Sequence, residues 1–501
     1  MAASPSSARL DHTFLELPLH RLADTALSRA YDLGADHADF RLERVRSQHL
    51  SARDGALQGS QEDADLGFAV RVLVDGVWGF AATTDISRDA AITTAEAAVR
   101  AAQVSAPMCS TRVSLAPEPA YPDVTWVSAY AVDPFEISLS DKSALVCDWT
   151  SRLLAGAGVE HAAASVELVH ENKFYADLSG TRITQQRIRL EPHIEAFGSY
   201  GDLFDSMVAL VPAAGRGWEY LSDNDLVDSE LDRLPHLLAD KLRAPSVAAG
   251  SYDLVIDPTN LWLTIHESIG HATELDRALG YEANYAGTSF ATPNHLGTLV
   301  YGSPLMNVTG DRTVDHGLAS VGYDDEGVEA QSWDIVKNGI FVGYQLDRSM
   351  ATSRSNGCAY ADSPGHFPIQ RMANVSLQPD PHGPDTDGLI AQVERGLYIV
   401  GDKSWSIDMQ RYNFQFTGQR AYLIRDGELE GQVRDFAYQS TTTDFWGSMS
   451  AVGGPQTYVL GGAFNCGKAQ PGQVAAVSHG CPSALFRDVR VLNTAAEGGA
   501  S

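Results

Sequence analysis

The sequence predicts an α+β protein in which two N-terminal α+β units precede a largely antiparallel β C-terminal domain that carries one metal-binding helix. Three observations favour this class. Helical and alternating apolar patterns follow one another through the first half of the chain. From Tyr252 onward, short apolar runs are separated by Asn-Gly and Asp-Gly pairs, which are strong hairpin signals. One helical segment in this second half contains two histidines.

Composition limits the class of protein and its partners. A length of 501 residues predicts about three domains. Hydrophobic residues make up 44% of the chain and charged residues 20%, which is typical of globular proteins. The formal net charge is −28, and no basic stripe offsets it, so nucleic acid and anionic membranes are disfavoured as partners. No stretch approaches the roughly 20 apolar residues that a membrane span requires.

Cysteine usage and the N-terminal residues predict a cytoplasmic location. The first seven residues contain no basic segment followed by an apolar core, so no secretory signal is expected. The cysteines are odd in number and have no framework spacing, which favours a reducing compartment. They are Cys109, Cys147, Cys358, Cys466 and Cys481.

The first predicted unit covers residues 15–105. Apolar residues at helical spacing predict a helix over residues 15–35. Alternating apolar segments then predict three strands: Asp39–Arg46, Gly67–Val74 and Trp78–Ala82. Asp75-Gly76 supplies a hairpin turn, and an alanine-rich helix is predicted over residues 87–104.

A proline-dotted linker is predicted over residues 106–137, and a second α+β unit over residues 138–245. This unit begins with a helix near residues 140–155 and continues through strands within residues 164–212. A charged helix over residues 225–243 ends it.

The C-terminal domain is predicted to cover residues 250–490. Two hairpins are expected: Trp333–Val336 and Phe341–Gln345 around Asn338-Gly339, and a turn at Asp426-Gly427 after Tyr422–Arg425. These strands should form an antiparallel sheet against the helix that carries the two histidines.

The segment His266–His271 (HESIGH) carries the most informative chemistry. Two imidazoles can bind zinc, and Glu267 beside the first can take a proton from water. The rings would point roughly 140° apart on a regular helix, because they are five residues apart. A π-bulge brings such residues onto one face, so we predict one here, with Gly270 as the place where the backbone loosens. The alternative is two half-buried histidines on an amphipathic helix beside a solvated Glu267.

A hydrolytic zinc site needs a third protein ligand. Cys466 is the most suggestive candidate, because glycines surround it and Lys468 would favour its thiolate. His479 and Cys481 are rivals, and spacing alone does not decide among the three. Glu274, three residues after His271, is a candidate ligand, a candidate hydrogen-bond partner for that imidazole, or a solvated charge.

Several motifs together resemble the TldD/PmbA family, also called modulators of DNA gyrase. They are His266–His271, Gly322–Gly327 (GYDDEG), Asn338-Gly339, Arg371–Asn374 (RMAN) and Cys466–Lys468 (CGK). The resemblance extends from about residue 20 to residue 490. The family has TldD-like subunits with the metal motif and PmbA/TldE-like partners without it, and this chain resembles the first branch.

The resemblance implies a zinc ion held by His266, His271 and Cys466, with Glu267 as general base. It also implies a dimer, either with a PmbA/TldE-like partner or with a second copy. In such assemblies an unfolded peptide reaches an enclosed site as an added β-strand. The sequence departs from the family after Cys466-Gly467-Lys468, where it inserts His479 and Cys481.

The functional hypothesis is a zinc-dependent metallopeptidase that hydrolyses extended or unfolded peptides. One alternative is a non-catalytic peptide-binding subunit with a structural zinc ion, and the other is a metal hydrolase of a non-peptide ester or amide. Residues that could stabilise an oxyanion are candidates by chemical type alone: Tyr281, Tyr285, His295 and His366.

Overall fold

The computed structural model of the protein describes residues 9–497. The first half contains helices α1 (His12–Leu15), α2 (Leu19–Asp32), α3 (Arg88–Ser105), α4 (Leu139–Leu154), α5 (Glu219–Ser222) and α6 (Asp225–Arg243). Its strands are β1 (His37–Arg53), β2 (Ala56–Val74), β3 (Val77–Thr83), β4 (Val124–Val127), β5 (His161–Asp177), β6 (Arg182–Tyr200) and β7 (Leu203–Val208). No helix within residues 9–497 is both long and apolar enough to cross a lipid bilayer.

These strands form one seven-stranded sheet in the order β3-β2-β1-β5-β6-β4, with β7 also paired to β6. The pairing of β1 with β5 joins the strands of the two predicted N-terminal units. The helices α2 and α3 cover one part of the sheet, and α4 and α6 cover another. The strand β4 lies inside the predicted linker and pairs with β6 in parallel. The domain limits themselves stay a prediction.

The second half is rich in strands. Its helices are α7 (Pro258–Ile265), α8 (Leu275–Ala278), α9 (Thr386–Ile390), α10 (Thr442–Gly447) and α11 (Thr494–Glu497). Its strands are β8 (Gly250–Ile256), β9 (Val308–Asp311), β10 (Ser332–Lys337), β11 (Ile340–Phe341), β12 (Ala359–Tyr360), β13 (Ile369–Gln370), β14 (Asn374–Leu377), β15 (Arg395–Ile407), β16 (Asn413–Arg425), β17 (Glu428–Val433), β18 (Phe436–Thr441), β19 (Met449–Val452), β20 (Val459–Ala469), β21 (Gly472–Cys481) and β22 (Ala484–Asn493).

The main C-terminal sheet has the order β15-β8-β22-β18-β16-β17, and only the β8–β15 pair in it is parallel. The helix α7 packs between β15 and the two-stranded sheet of β20 and β21. This arrangement confirms the predicted α+β class with a largely antiparallel C-terminal region. It also sets the metal motif between two layers of strands, which bury it.

The predicted elements agree with the structure where local signals are strong. The charged helix at residues 225–243 has the same limits as α6. The hairpin turns at Asp75-Gly76 and Asp426-Gly427 both have positive φ angles, as a type I′ turn requires. The predicted strand Phe341–Gln345 is wrong. The strand β11 ends at Phe341, because Val342 and Gly343 donate their amides back to Ile335 and the chain then turns away.

A buried network of ions joins the two halves of the molecule. Lys173 on β5 donates to both carboxylate oxygens of Asp325, at 3.1 and 2.8 Å. Arg71 on β2 bonds Asp39 and, at 2.8 Å, Glu326. All five side chains are at most 6% exposed. The motif Gly322–Gly327 therefore attaches the C-terminal region to the N-terminal sheet, and it does so through charges that need their partners.

We predict that Asp325→Asn lowers the free energy of unfolding by about 3–5 kcal/mol, since Lys173 would lose its nearest carboxylate while buried. Chemical denaturation measures this change. The control is Asp334→Asn, which breaks the surface pair with Lys337 and should leave the midpoint nearly unchanged. Equal midpoints for Asp325→Asn and the wild type would contradict the structural role of this network.

Candidate metal centre

The helix α7 delivers the metal motif into the C-terminal core. Asp257 caps it by accepting a hydrogen bond from the Thr259 amide, and Pro258 occupies its first turn. Leu261 and Ile265 on its inner face are completely buried. Because this start is fixed by capping and packing, the following turn is held in one place.

The motif continues from α7 as a π-helical turn over His266–Gly270. The amide of His271 donates to the carbonyl of His266, five residues back, and the two imidazole centroids lie 4.7 Å apart. This confirms the predicted π-bulge. Tyr301 and Gln345 donate to the carbonyls of Ser268 and Gly270, at 2.5 and 2.8 Å. Groups from outside the helix therefore satisfy the widened turn.

Gly270 is needed for close packing. Its φ of −52° is ordinary helical geometry, so the backbone does not require a glycine. A Cβ atom here would lie 2.5 Å from Sδ of Met372 and 2.9 Å from its Cε. The glycine thus lets β14 and its flanking residues approach the turn, which differs from the predicted role of loosening the backbone.

Cys466 reaches the two histidines from β20. One ligand atom from each of His266, His271 and Cys466 lies within 4.8 Å of the others. The Cys466 Sγ atom is 3.8 Å from Nε2 of His271. All three residues are at most 5% exposed. Three donors from three places in the sequence therefore converge on one small volume.

The ring of His266 is oriented by a chain of hydrogen bonds. His479 on β21 donates from Nδ1 to the Val375 carbonyl at 2.8 Å, so its Nε2 must accept. That Nε2 lies 2.7 Å from Nδ1 of His266, which therefore donates. Burial, with the neighbouring His266, holds the pKa of His479 well below its usual value and keeps this ring neutral. The lone pair of His266 is left on Nε2.

The ring of His271 is oriented in the same sense by a carboxylate. Its Nδ1 donates to Glu274 at 2.8 Å, which leaves a lone pair on Nε2 facing Cys466. Lys468 lies 3.2 Å from the other oxygen of Glu274. Of the three roles open to Glu274, the structure shows the hydrogen-bond partner of the imidazole.

The thiol of Cys466 lies in a cationic environment. Burial alone would raise its pKa, but His266 and His271 lower the pKa well below the usual value of a thiol. The sequence suggested Lys468 for this effect. Its ammonium group is instead bonded to Asp276 at 2.5 Å and to both oxygens of Gln370, so the histidines supply the positive charge.

Glu267 points to the same centre and contacts Arg411, a residue that sequence reasoning missed. Nη1 of Arg411 donates to Oε2 of Glu267, and the two side chains are 15% and 8% exposed. Burial raises the pKa of Glu267, but His271, His266 and Arg411 lower it below its usual value. Arg411 has a φ of +63°, and Asp408 holds its loop by accepting the amides of Gln410 and Tyr412. No local pattern announces such a residue 144 positions away.

The remaining candidates lie elsewhere. The thiol of Cys481 is directed to the carbonyl of Pro258 at 3.6 Å. Tyr281 and Tyr285 are 62% and 75% exposed. The other two suggested oxyanion donors are also exposed, with His295 directed to the Phe290 carbonyl and His366 to Asp362.

Two family models match this chain. The PmbA/TldA metallopeptidase C-terminal domain matches residues 249–493, and PmbA/TldA metallopeptidase domain 1 matches residues 38–102. The chain belongs to the PmbA/TldD family. The first match contains the whole π-helical turn and Cys466, and the second contains most of the hairpin of β1 and β2.

Relatives and solved structures agree with this family. A protein of Methanothermobacter thermautotrophicus named metalloprotease is 28% identical over 463 residues, covering 92% of this chain and 96% of that protein. A zinc metalloprotease TldD homolog of Saccharolobus solfataricus is 23% identical and covers 93% of this chain and 98% of its own. TldE of Thermococcus kodakarensis shares the fold with a TM-score of 0.67, at 16% identity, covering 93% of this chain and 99% of that one.

We predict that His479→Leu weakens zinc binding about 10–100-fold, because Nδ1 of His266 loses the acceptor that fixes its tautomer. Competition with a chelator of known affinity measures this change. The control is Cys481→Ala, two residues further along β21, whose thiol contacts a carbonyl and neither histidine. Equal affinity for zinc in the wild type and His479→Leu would show that this hydrogen bond does not orient the ring.

Proposed function

We propose that this protein is a zinc-dependent metallopeptidase acting on extended or unfolded peptides. The observation that carries the proposal is the convergence of His266, His271 and Cys466, with the Glu267 carboxylate on the adjoining residue. Two neutral imidazoles and a thiolate are donors that suit zinc. Three protein ligands also leave one coordination position for water or substrate, as hydrolytic sites require.

The donor set supports zinc because each atom is in the protonation state that binding needs. Nε2 of His266 and Nε2 of His271 carry lone pairs, and the pKa of Cys466 favours the thiolate. A bound zinc ion would supply Lewis acidity to the scissile carbonyl and acidify its water.

Glu267 is proposed as the general base that takes a proton from the attacking water and passes it to the leaving amine. Arg411 is proposed to position this carboxylate, since its guanidinium contacts Oε2. The geometry therefore leaves Oε1 as the oxygen that faces the reaction. This division of labour needs a base beside the ligand, which a purely structural zinc site does not.

An open strand edge beside the centre supports a peptide as substrate. In the described part of the chain, β20 pairs with β21 alone, so its outer edge is unpaired. That edge lines a cavity of about 520 Å³ together with Trp262, whose position is one helical turn before His266. A second cavity of about 780 Å³ adjoins it at Val459. An extended peptide can add to such an edge through main-chain hydrogen bonds.

We also propose that the chain acts as a dimer in the cytoplasm, paired with a PmbA/TldE-like partner or with a second copy. The shared fold with TldE of Thermococcus kodakarensis supports a partner of this kind. Exposed apolar side chains follow the metal segment, including Leu279, Tyr281 and Tyr285 at 48%, 62% and 75% exposure. Apolar residues exposed in this way are typical of a surface that another subunit covers.

We predict that Glu267→Gln lowers peptide hydrolysis about 100-fold or more while zinc content stays near that of the wild type. The amide keeps the shape of the side chain but cannot take a proton. Hydrolysis of an unstructured peptide and zinc by elemental analysis are measured together, in the assembly that is active. Glu394→Gln, at an exposed glutamate, is the control. Full activity of Glu267→Gln would contradict the assigned base.

We predict that a denatured or reduced protein is cleaved much faster than its native form. A folded chain cannot offer a free strand to the edge of β20, because its backbone groups are already paired. Rates on one substrate protein in its two states are compared at equal concentration. Equal rates would refute strand addition, and cleavage of esters but not peptides would favour a non-peptide hydrolase.

A further inference from the structure

A cluster of arginines lies beside a cavity that the proposed hydrolysis does not use. The cavity measures about 410 Å³ and lies between β4, β6 and the segment at residues 312–323. Arg187, Arg189 and Arg312 line it. Neither the proposed zinc ligands nor Glu267 are among its lining residues.

The charges around this cavity do not balance. Glu171 accepts both Nε and Nη2 of Arg187 at 2.9 Å, and it also accepts Nη2 of Arg189 at 2.9 Å. Lys173 does not free this carboxylate, since its nearest partner is Asp325 at 2.8 Å. Two guanidinium groups therefore share one carboxylate, and Nε of Arg189 has no hydrogen-bond partner among the described residues.

Arg312 increases the imbalance. It is 2% exposed, and its Nε and Nη2 atoms have no hydrogen-bond partner within residues 9–497. The nearby carboxylate of Asp324 is occupied by backbone amides, those of Glu326, Val328 and Ala359. A buried guanidinium without a partner is costly, so its site is built for a group that this chain does not supply.

The shape and polarity of the cavity indicate the kind of ligand. Its positive side is the buried one, whereas Asp315 and Glu329, which also line it, are exposed. Trp126 and Leu318 supply apolar wall. We propose that the cavity binds a small organic oxyanion, a carboxylate or phosphate ester, whose charged group bonds Arg312 and the free Nε of Arg189. The volume leaves room for an organic body beside that group.

Water is the competing occupant. A void of about 10 Å³ adjoins Arg312, Lys173 and Glu171, which is room for roughly one water molecule. One water can accept from a guanidinium, but it brings no negative charge. The two occupants therefore differ in their response to added anions.

The test is isothermal titration of the full-length protein with inorganic phosphate and with succinate, at constant ionic strength. We expect saturable binding of at least one anion to the wild type, weakened at least about tenfold in Arg312→Met. Phosphate alone would indicate a phosphate ester as the natural ligand, and succinate alone a carboxylate. The control is Arg420→Met, because Arg420 is also buried with an unpartnered Nε but lines a different cavity.

Absence of saturable binding of either anion to the wild type would overturn the proposal in favour of water. Equal binding by the wild type and Arg312→Met would overturn it as well. If Arg312→Met does not fold, Arg189→Met replaces it. The same titration with Cys466→Ser separates this site from the proposed zinc centre, since anion binding should persist there even when zinc and hydrolysis are lost.

Discussion

One additional residue in a helical turn is the constraint on which the centre depends. With His266 and His271 five residues apart, a regular helix would separate their rings, and the π-helical turn brings them within 4.7 Å. Such a turn weakens the backbone ladder, so it persists only where other groups compensate. Tyr301 and Gln345 satisfy its carbonyls, and Met372 packs where any side chain larger than glycine would collide.

The surroundings of the two histidines explain why rigid strands are built against the turn. The Val375 carbonyl on β14 fixes His479 on β21, and His479 fixes His266. Glu274 performs the same task for His271, and Lys468 accompanies it. Residues that seemed to compete as ligands in the sequence are thus the supports that set tautomer and direction. A site held by strands in this way keeps its geometry before any ion arrives.

Local signals in the sequence identified much of this architecture. The limits of α6 follow from its charged amphipathic pattern, and the Asn338-Gly339 and Asp426-Gly427 turns follow from the need for positive φ. The π-helical turn followed from the spacing of two histidines. Long-range pairing was beyond such signals, because the contact of β1 with β5 joins segments separated by a proline-dotted stretch. Arg411 was invisible for the same reason, since its contact with Glu267 depends on the folded loop at Asp408.

The most direct test of the account is zinc K-edge X-ray absorption on the zinc-loaded protein, for the wild type beside Cys466→Ser. A centre made of His266, His271 and Cys466 predicts one sulfur at about 2.3 Å and two imidazole nitrogens at about 2.0–2.1 Å. The sulfur shell should vanish in Cys466→Ser. A wild-type shell without sulfur, or a sulfur shell that survives the substitution, would contradict the proposed centre.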